Sequence, residues 1–242
     1  MANLLQICTL VAKDCGVLPP LSIIGNPDVT ASGLLAQATR ACRMLQADIN
    51  WPILMREHTF TASNGVGEYD LPSDFDRFTD DTAWDRTAYW NMRGPLSPQE
   101  WQVSKSGLVQ AAGLQKRWRI IRTAAAGAIV NKFVLSPTPT DANALVFEYI
   151  SNAWATSANG LVLRTDWEAD TDIPLIDEDL IGLDMTWRML KRLGKDYQRE
   201  MKEADDSKNQ VKARQGGMPI LGLTRPTFRM WPVNVPLTGI GS

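Results

Sequence analysis

Apolar residues recur at helical spacing near both ends of the chain and at strand spacing between them. Leu4, Leu5, Cys8, Val11, Ala12 and Cys15 share one helical face, and Gly16 followed by Pro19 and Pro20 ends the pattern. Leu34, Leu35, Ala38, Cys42, Leu45 and Ile49 repeat it up to Trp51 and Pro52, which predicts a second helix antiparallel to the first. The signal returns at Asp177, where three consecutive acids suit the positive end of a helix dipole. Lys212 and Arg214 precede Gly216 and Gly217 at the far end. A long helix is therefore expected, broken near Gly194. Its stripe of Leu183, Trp187, Leu190, Leu193, Tyr197 and Met201 fades, and the polar run Glu203 to Arg214 is expected to project from the fold.

Between these helices the period shortens to two. His58 to Ala62 alternates, Asn64 and Gly65 supply a hairpin turn, and Glu68 to Leu71 continues as a partner strand. Arg117 to Arg122, Ala128 to Leu135 and Leu145 to Ile150 are further strand candidates. The Ser136-Pro137-Thr138-Pro139 and Asp141-Ala142-Asn143 turns between them imply antiparallel pairing. One helix interrupts the region: Ser97 as N-cap, Pro98 at the first position and Glu100 form a capping box, with Leu96 and Trp101 placed as a staple. The expected fold class is α+β, a helical bundle with an inserted small antiparallel β domain and an extended C-terminal tail. The expected divisions are 1–52 (N-terminal helices), 53–175 (β region), 176–217 (long helix) and 218–242 (tail). The tail carries four prolines and no acid, with apolar residues spaced along it. A disordered segment is poor in such residues, so this one is expected to lie along a partner.

Composition narrows the classes. In 242 residues, 44% are hydrophobic and 21% charged, enough to build a core, and a net charge of -2 gives no global pull toward nucleic acid. That charge is unevenly placed. Residues 1–184 hold 14 basic and 22 acidic residues, and 185–242 hold 11 basic and five acidic. The densest acidic run is Asp166, Glu168, Asp170 and Asp172, leading to Asp177, Glu178 and Asp179. It reads either as a solvated loop or as one half of a complementary interface. No stretch approaches the roughly 20 apolar residues of a membrane span, so no membrane partner is expected. The first residues lack a signal-peptide pattern, and the protein is expected to begin as translated, in a cytosol. Cys8, Cys15 and Cys42 are expected to be small reduced core residues.

Catalytic patterns are scarce. His58 is the single histidine, and no G-x-S-x-G, Walker A, H-E-x-x-H or C-x-x-C occurs. No cofactor is expected. The acids Asp74, Asp76, Asp80, Asp81 and Asp85 lack the glycine and terminal glutamate of a calcium loop. A muralytic enzyme needs only two carboxylates, which sequence alone cannot place. Trp118 between Arg117 and Arg119 would suit stacking on single-stranded nucleic acid. The same residues alternate as a strand with Trp118 and Ile120 turned to a core, and that reading is preferred.

The run Tyr69-Asp70-Leu71-Pro72-Ser73-Asp74-Phe75-Asp76-Arg77, then Asp81-Thr82-Ala83-Trp84-Asp85-Arg86, then Pro95-Leu96-Ser97-Pro98-Gln99-Glu100-Trp101, resembles the head-to-tail adaptors of tailed bacteriophages, above all the tail accessory factor and tail tubular protein A of short-tailed phages. The match is dense over residues 55 to 105. Elsewhere it is one of element order. The resemblance implies a structural virion protein of the neck, made in the host cytoplasm. It implies a homo-oligomeric ring, typically of twelve copies, docked under the portal protein, meeting the tail nozzle or tail tubular protein through its β region. Channel DNA would pass through without sequence-specific contact. It also implies that the C-terminal segment reaches the portal, and Ile220, Leu223, Phe228, Trp231 and Val233 are the expected anchors. A ring needs two different patches of one chain to meet. The charge division suggests Asp166, Asp170 and Asp172 on one copy, and Lys191, Lys195 and Arg199 on the next. No catalytic residue carries over from the family. The rival classes, a muralytic enzyme and a nucleic-acid-binding module, would reveal themselves by zymography and by salt-dependent affinity.

Overall fold

A computed structural model describes residues 1–106, 116–125 and 128–215. Helices α1 (Leu4–Asp14) and α2 (Val29–Asp48) lead to strands β1 (Met55–Ala62), β2 (Glu68–Asp70), β3 (Phe75–Phe78), β4 (Trp84–Asp85) and β5 (Trp90–Asn91). Helix α3 (Pro98–Ser106) precedes the long strands β6 (Arg117–Ala125), β7 (Ala128–Ser136) and β8 (Asn143–Ser151). Short strands β9 (Ala155–Thr156), β10 (Leu163–Arg164) and β11 (Ile173–Pro174) follow, then helices α4 (Glu178–Arg192) and α5 (Gln198–Gln215). The fold is α+β, as expected.

The helices begin where polar side chains replace the missing backbone partners. Asn3 accepts from Gln6 N at 2.9 Å while Gln6 Oε1 accepts from Asn3 N at 3.0 Å, a reciprocal cap on α1. Asp28 caps α2, and Asp177 accepts from the Asp179 and Leu180 amides to start α4. The expected break at Gly194 is a left-handed cap: its φ is +70°, and the Lys195 amide reaches back to the Leu190 carbonyl at 3.0 Å. Faces of α1, α2 and α4 close on a core that includes Leu4, Val11, Leu34, Cys42, Ile181 and Met185. All three cysteines are buried and unbridged.

Helix α5 does not project. Ala204 is buried, and Tyr197 and Val211, seven residues to either side, pack against the helical core. Lys208 Nζ reaches Asp48 of α2 at 2.8 Å. One small contact every two turns is a seam too sparse for a hydrophobic stripe to register, but it lets the helix lie close against its neighbours.

Long strand β8 is central to the first sheet. On one edge it pairs antiparallel with β1 along Met55↔Ile150 to Ala62↔Asn143, and on the other with β3 and then β4, which continues to β5. The second sheet runs β2-β7-β6, and a small third sheet runs β10-β9-β11. The Asn64-Gly65 turn therefore joins two sheets, where the sequence predicts a hairpin. Gly65 N donates to Pro139 O at 2.9 Å, and the chain turns a corner so that β1 pairs with β8 and β2 with β7. Phe60 and Tyr69 meet across the sandwich, 4.9 Å between centroids, rather than side by side. Aromatic burial between facing sheets outweighs the local turn preference.

The sandwich core stacks Trp118 on Phe133 (5.0 Å) and Phe133 on Phe147 (5.4 Å). Leu145, Phe147 and Tyr149 of β8 enter it, while Ile150 of the same strand joins the helical core with Trp154 and Trp167. At the sandwich margin Gly94 lies against Trp118. A Cβ there would stand 2.5 Å from the Trp118 carbonyl oxygen and 2.8 Å from its ring. Gly94→Ala should cost about 1–3 kcal/mol through forced displacement of that strand, read as a lowered denaturant midpoint with an unchanged slope.

Candidate assembly surfaces

The acidic segment 166–172 is built into the fold. The first amides of α1, which have no partner within the helix, donate to it: Leu4 N to Asp172 O at 2.9 Å and Leu5 N to Asp170 O at 3.2 Å. Asp170 Oδ1 accepts from Ile23 N at 3.1 Å and Ile24 N at 2.7 Å, pinning the loop before α2. Asp172, with its side chain 1% exposed, pairs with Arg164 and accepts from the Glu168 and Ala169 amides at 2.8 and 2.9 Å. Asp166 is exposed and pairs with Arg43 at 2.8 Å. The run is thus a buckle between α1, the α1–α2 loop and β10, with Asp166 and Glu168 left on its outer side. A loop wholly solvated is not what forms.

Burial alone would raise the Asp172 pKa, but Arg164 and the two amides outweigh it and hold the carboxyl below its ordinary value. Asp85 repeats the balance: burial raises, while Lys116, the Ala88 amide and Asn143 lower it further. Both groups are bound as carboxylates in the folded state. Their contribution is therefore present above the ordinary aspartate value of 3.8 and is lost as pH falls through the lower folded values. Circular dichroism across acid titration should show stability falling below about pH 4. Asp172→Asn, which cannot titrate, should flatten that slope.

The basic half is also partly engaged. Lys195 Nζ donates to Cys15 O at 2.6 Å, closing the C-terminal end of α1. The Lys191 ammonium lies 5.5 Å from the Tyr197 ring centroid. Arg199 stands exposed in the first turn of α5. Within one chain, Asp166 and Asp172 turn to Arg43 and Arg164, and Lys195 turns to α1.

One feature has no counterpart in the sequence reading. The β9–β10 hairpin is fixed by Ser157 N to Val162 O (2.9 Å), Gly160 N to Ser157 O (2.8 Å), Val162 N to Ser157 Oγ (3.1 Å) and Leu161 N to Asn159 Oδ1 (3.2 Å). Gly160 supplies a φ of +72°. This ordered hairpin holds Leu161 81% and Val162 53% exposed. The Ser157-Ala158-Asn159-Gly160 turn was the available signal, but an apolar triplet after a turn reads as a core strand.

The rival chemistries find their residues employed elsewhere. Trp118 is buried in the sandwich, so it offers no stacking platform. His58 stacks on Phe60 at 5.6 Å, and burial holds its pKa below the ordinary value, with Asp74 opposing. Asp74 accepts from Tyr149 and Ser151, Asp76 pairs with Arg77, and Asp85 pairs with Lys116. These acids are spent separately on their own partners.

Ile220, Leu223, Phe228, Trp231 and Val233 lie outside the described residues. A family model described as SU10 adaptor protein matches residues 2–235, nearly the whole chain, in agreement with the resemblance that residues 55 to 105 carry. No curated protein matches the chain.

Proposed function

We propose that this chain, which belongs to the SU10 adaptor protein family, joins the portal of a tailed-phage head to the tail as a structural neck component. The family match over residues 2–235 carries the reading, because it spans helices, sheets and most of the tail rather than a single motif. In this reading copies of the chain form a ring, twelve by the head-to-tail adaptor pattern, that continues the DNA channel and helps retain the packaged genome. DNA passes without sequence-specific contact. The divisions 1–52 and 176–217 supply the helical body, 53–175 faces the tail nozzle, and 218–242 attaches to the portal. Ile220, Leu223, Phe228, Trp231 and Val233 are its anchors, spaced to occupy a groove or sheet edge. The role calls for binding surfaces rather than catalysis, and no cofactor enters it.

The test compares the full chain with one lacking Met218–Ser242 for co-sedimentation with purified portal protein. The full chain should pellet with the portal. The truncated chain should not, while keeping a thermal transition close to the parent. Equal binding by both would overturn the assignment of the tail. Failure of the full chain to bind would overturn the adaptor reading itself.

A further inference from the structure

We propose that the β9–β10 hairpin tip of one copy docks on the α4–α5 turn of a second copy, making a head-to-tail contact through two unlike patches. The inference deepens the adaptor reading and takes the ring from it. Three observations carry it. The tip presents Leu161 and Val162 to solvent on a hairpin whose hydrogen bonds already fix its shape, so little ordering entropy is lost on contact. The α4–α5 turn presents the other apolar exposure among residues near a charge cluster: Leu193 is 42% and Met201 36% exposed. The two surroundings are opposite in sign. Residues 158–172 hold four acids and one base, whereas 191–202 hold five bases and two acids.

Asp170, Asp172 and Lys195 are occupied within their own chain, which moves the intermolecular contact away from them. It leaves Asp166 and Glu168 beside the tip, facing Arg199 and Lys202 beside the turn. Tip against tip, or turn against turn, would set like charges opposite each other. Unlike patches therefore favour a heterologous contact, the kind that a closed ring requires. Apolar burial at Leu161 holds the contact, and the charges set its register and its rate of formation.

The buried native cysteines make the test clean. Burial raises Cys15 and Cys42 above the ordinary thiol value and pushes Cys8 up to about 12, so thiols placed on the surface react first. Full chains carrying Leu161→Cys and full chains carrying Met201→Cys are oxidised separately and mixed, both free at high concentration and bound to portal. Disulfide-linked dimers should appear only in the mixture, and Leu161→Asp in the parent should weaken copy-to-copy association at least tenfold. Dimers from the Leu161→Cys chain alone would indicate a two-fold contact and overturn the proposal. So would a mixture that stays monomeric in both settings. Portal binding without these dimers would leave the adaptor reading standing and remove this interface, whereas dimers without portal binding would do the reverse.

Discussion

Asp172→Ala is expected to lower stability by about 3–5 kcal/mol, the usual cost of removing one partner from a buried ion pair. The Asp172 carboxylate is nearly inaccessible and satisfies Arg164 and two amides at once. Its loss strands all three donors and frees the segment whose carbonyls receive the first amides of α1. For a chain of this length the thermal midpoint should fall by roughly 10 °C. Asp172→Asn preserves shape but turns an amide toward Arg164, so it should recover only part of the loss. Replacing both partners, Arg164→Met with Asp172→Leu, should be milder than Asp172→Ala, since no charge is then left buried alone. A double variant as unstable as the single would mean that the two amides, rather than the guanidinium, dominate the site. Calorimetry on the three variants separates these contributions.

Phe147→Ala should cost a similar amount, about 3–5 kcal/mol, by a different cause. The ring is fully buried and lies between Phe133, Phe78 and Tyr149 in the sandwich. Removing it leaves a void bordered by rings that are held by two sheets and cannot close inward. Phe147→Leu fills part of that space and should be tolerated better. The denaturant midpoint should drop with little change in slope, because the surface exposed on unfolding scarcely alters.

Much of the fold was legible where the cause is local. Asn3, Asp28 and Asp177 cap helices because their side chains reach amides two or three residues ahead, a relation written in adjacent letters. Ser97 and Glu100 do the same for α3, with Ser97 N to Glu100 Oε2 at 2.9 Å. Gly194 marks a helix end because few other residues adopt its conformation without strain. Strand partners were not legible in this way. Asn64-Gly65 advertises a hairpin, yet the partner of β1 lies some ninety residues on, chosen by aromatic burial that no short window contains.

The candidate surfaces divide along the same line. The charge asymmetry could be counted directly, and the adaptor resemblance followed from the order of residues 69 to 101. The internal use of Asp170 and Asp172 could not be foreseen, because their partners are backbone amides at Ile23 and Ile24 and a guanidinium eight residues away. Leu161 and Val162 misled for the opposite reason. Apolar letters near a turn ordinarily point inward, and only the hydrogen-bonded geometry of the hairpin shows that these face out.

Strand β8 gives one residue row to the sandwich and Ile150 to the helical core, and it is bonded along both edges. A pull applied to the sheet is therefore carried to the helices along a continuous backbone, in shear, so that many hydrogen bonds must fail together before either core can open. In a particle whose neck withstands the pressure of confined DNA, such a strand acts as a tie-rod. The two cores should yield as one body, in a single unfolding event, rather than part at a slack joint.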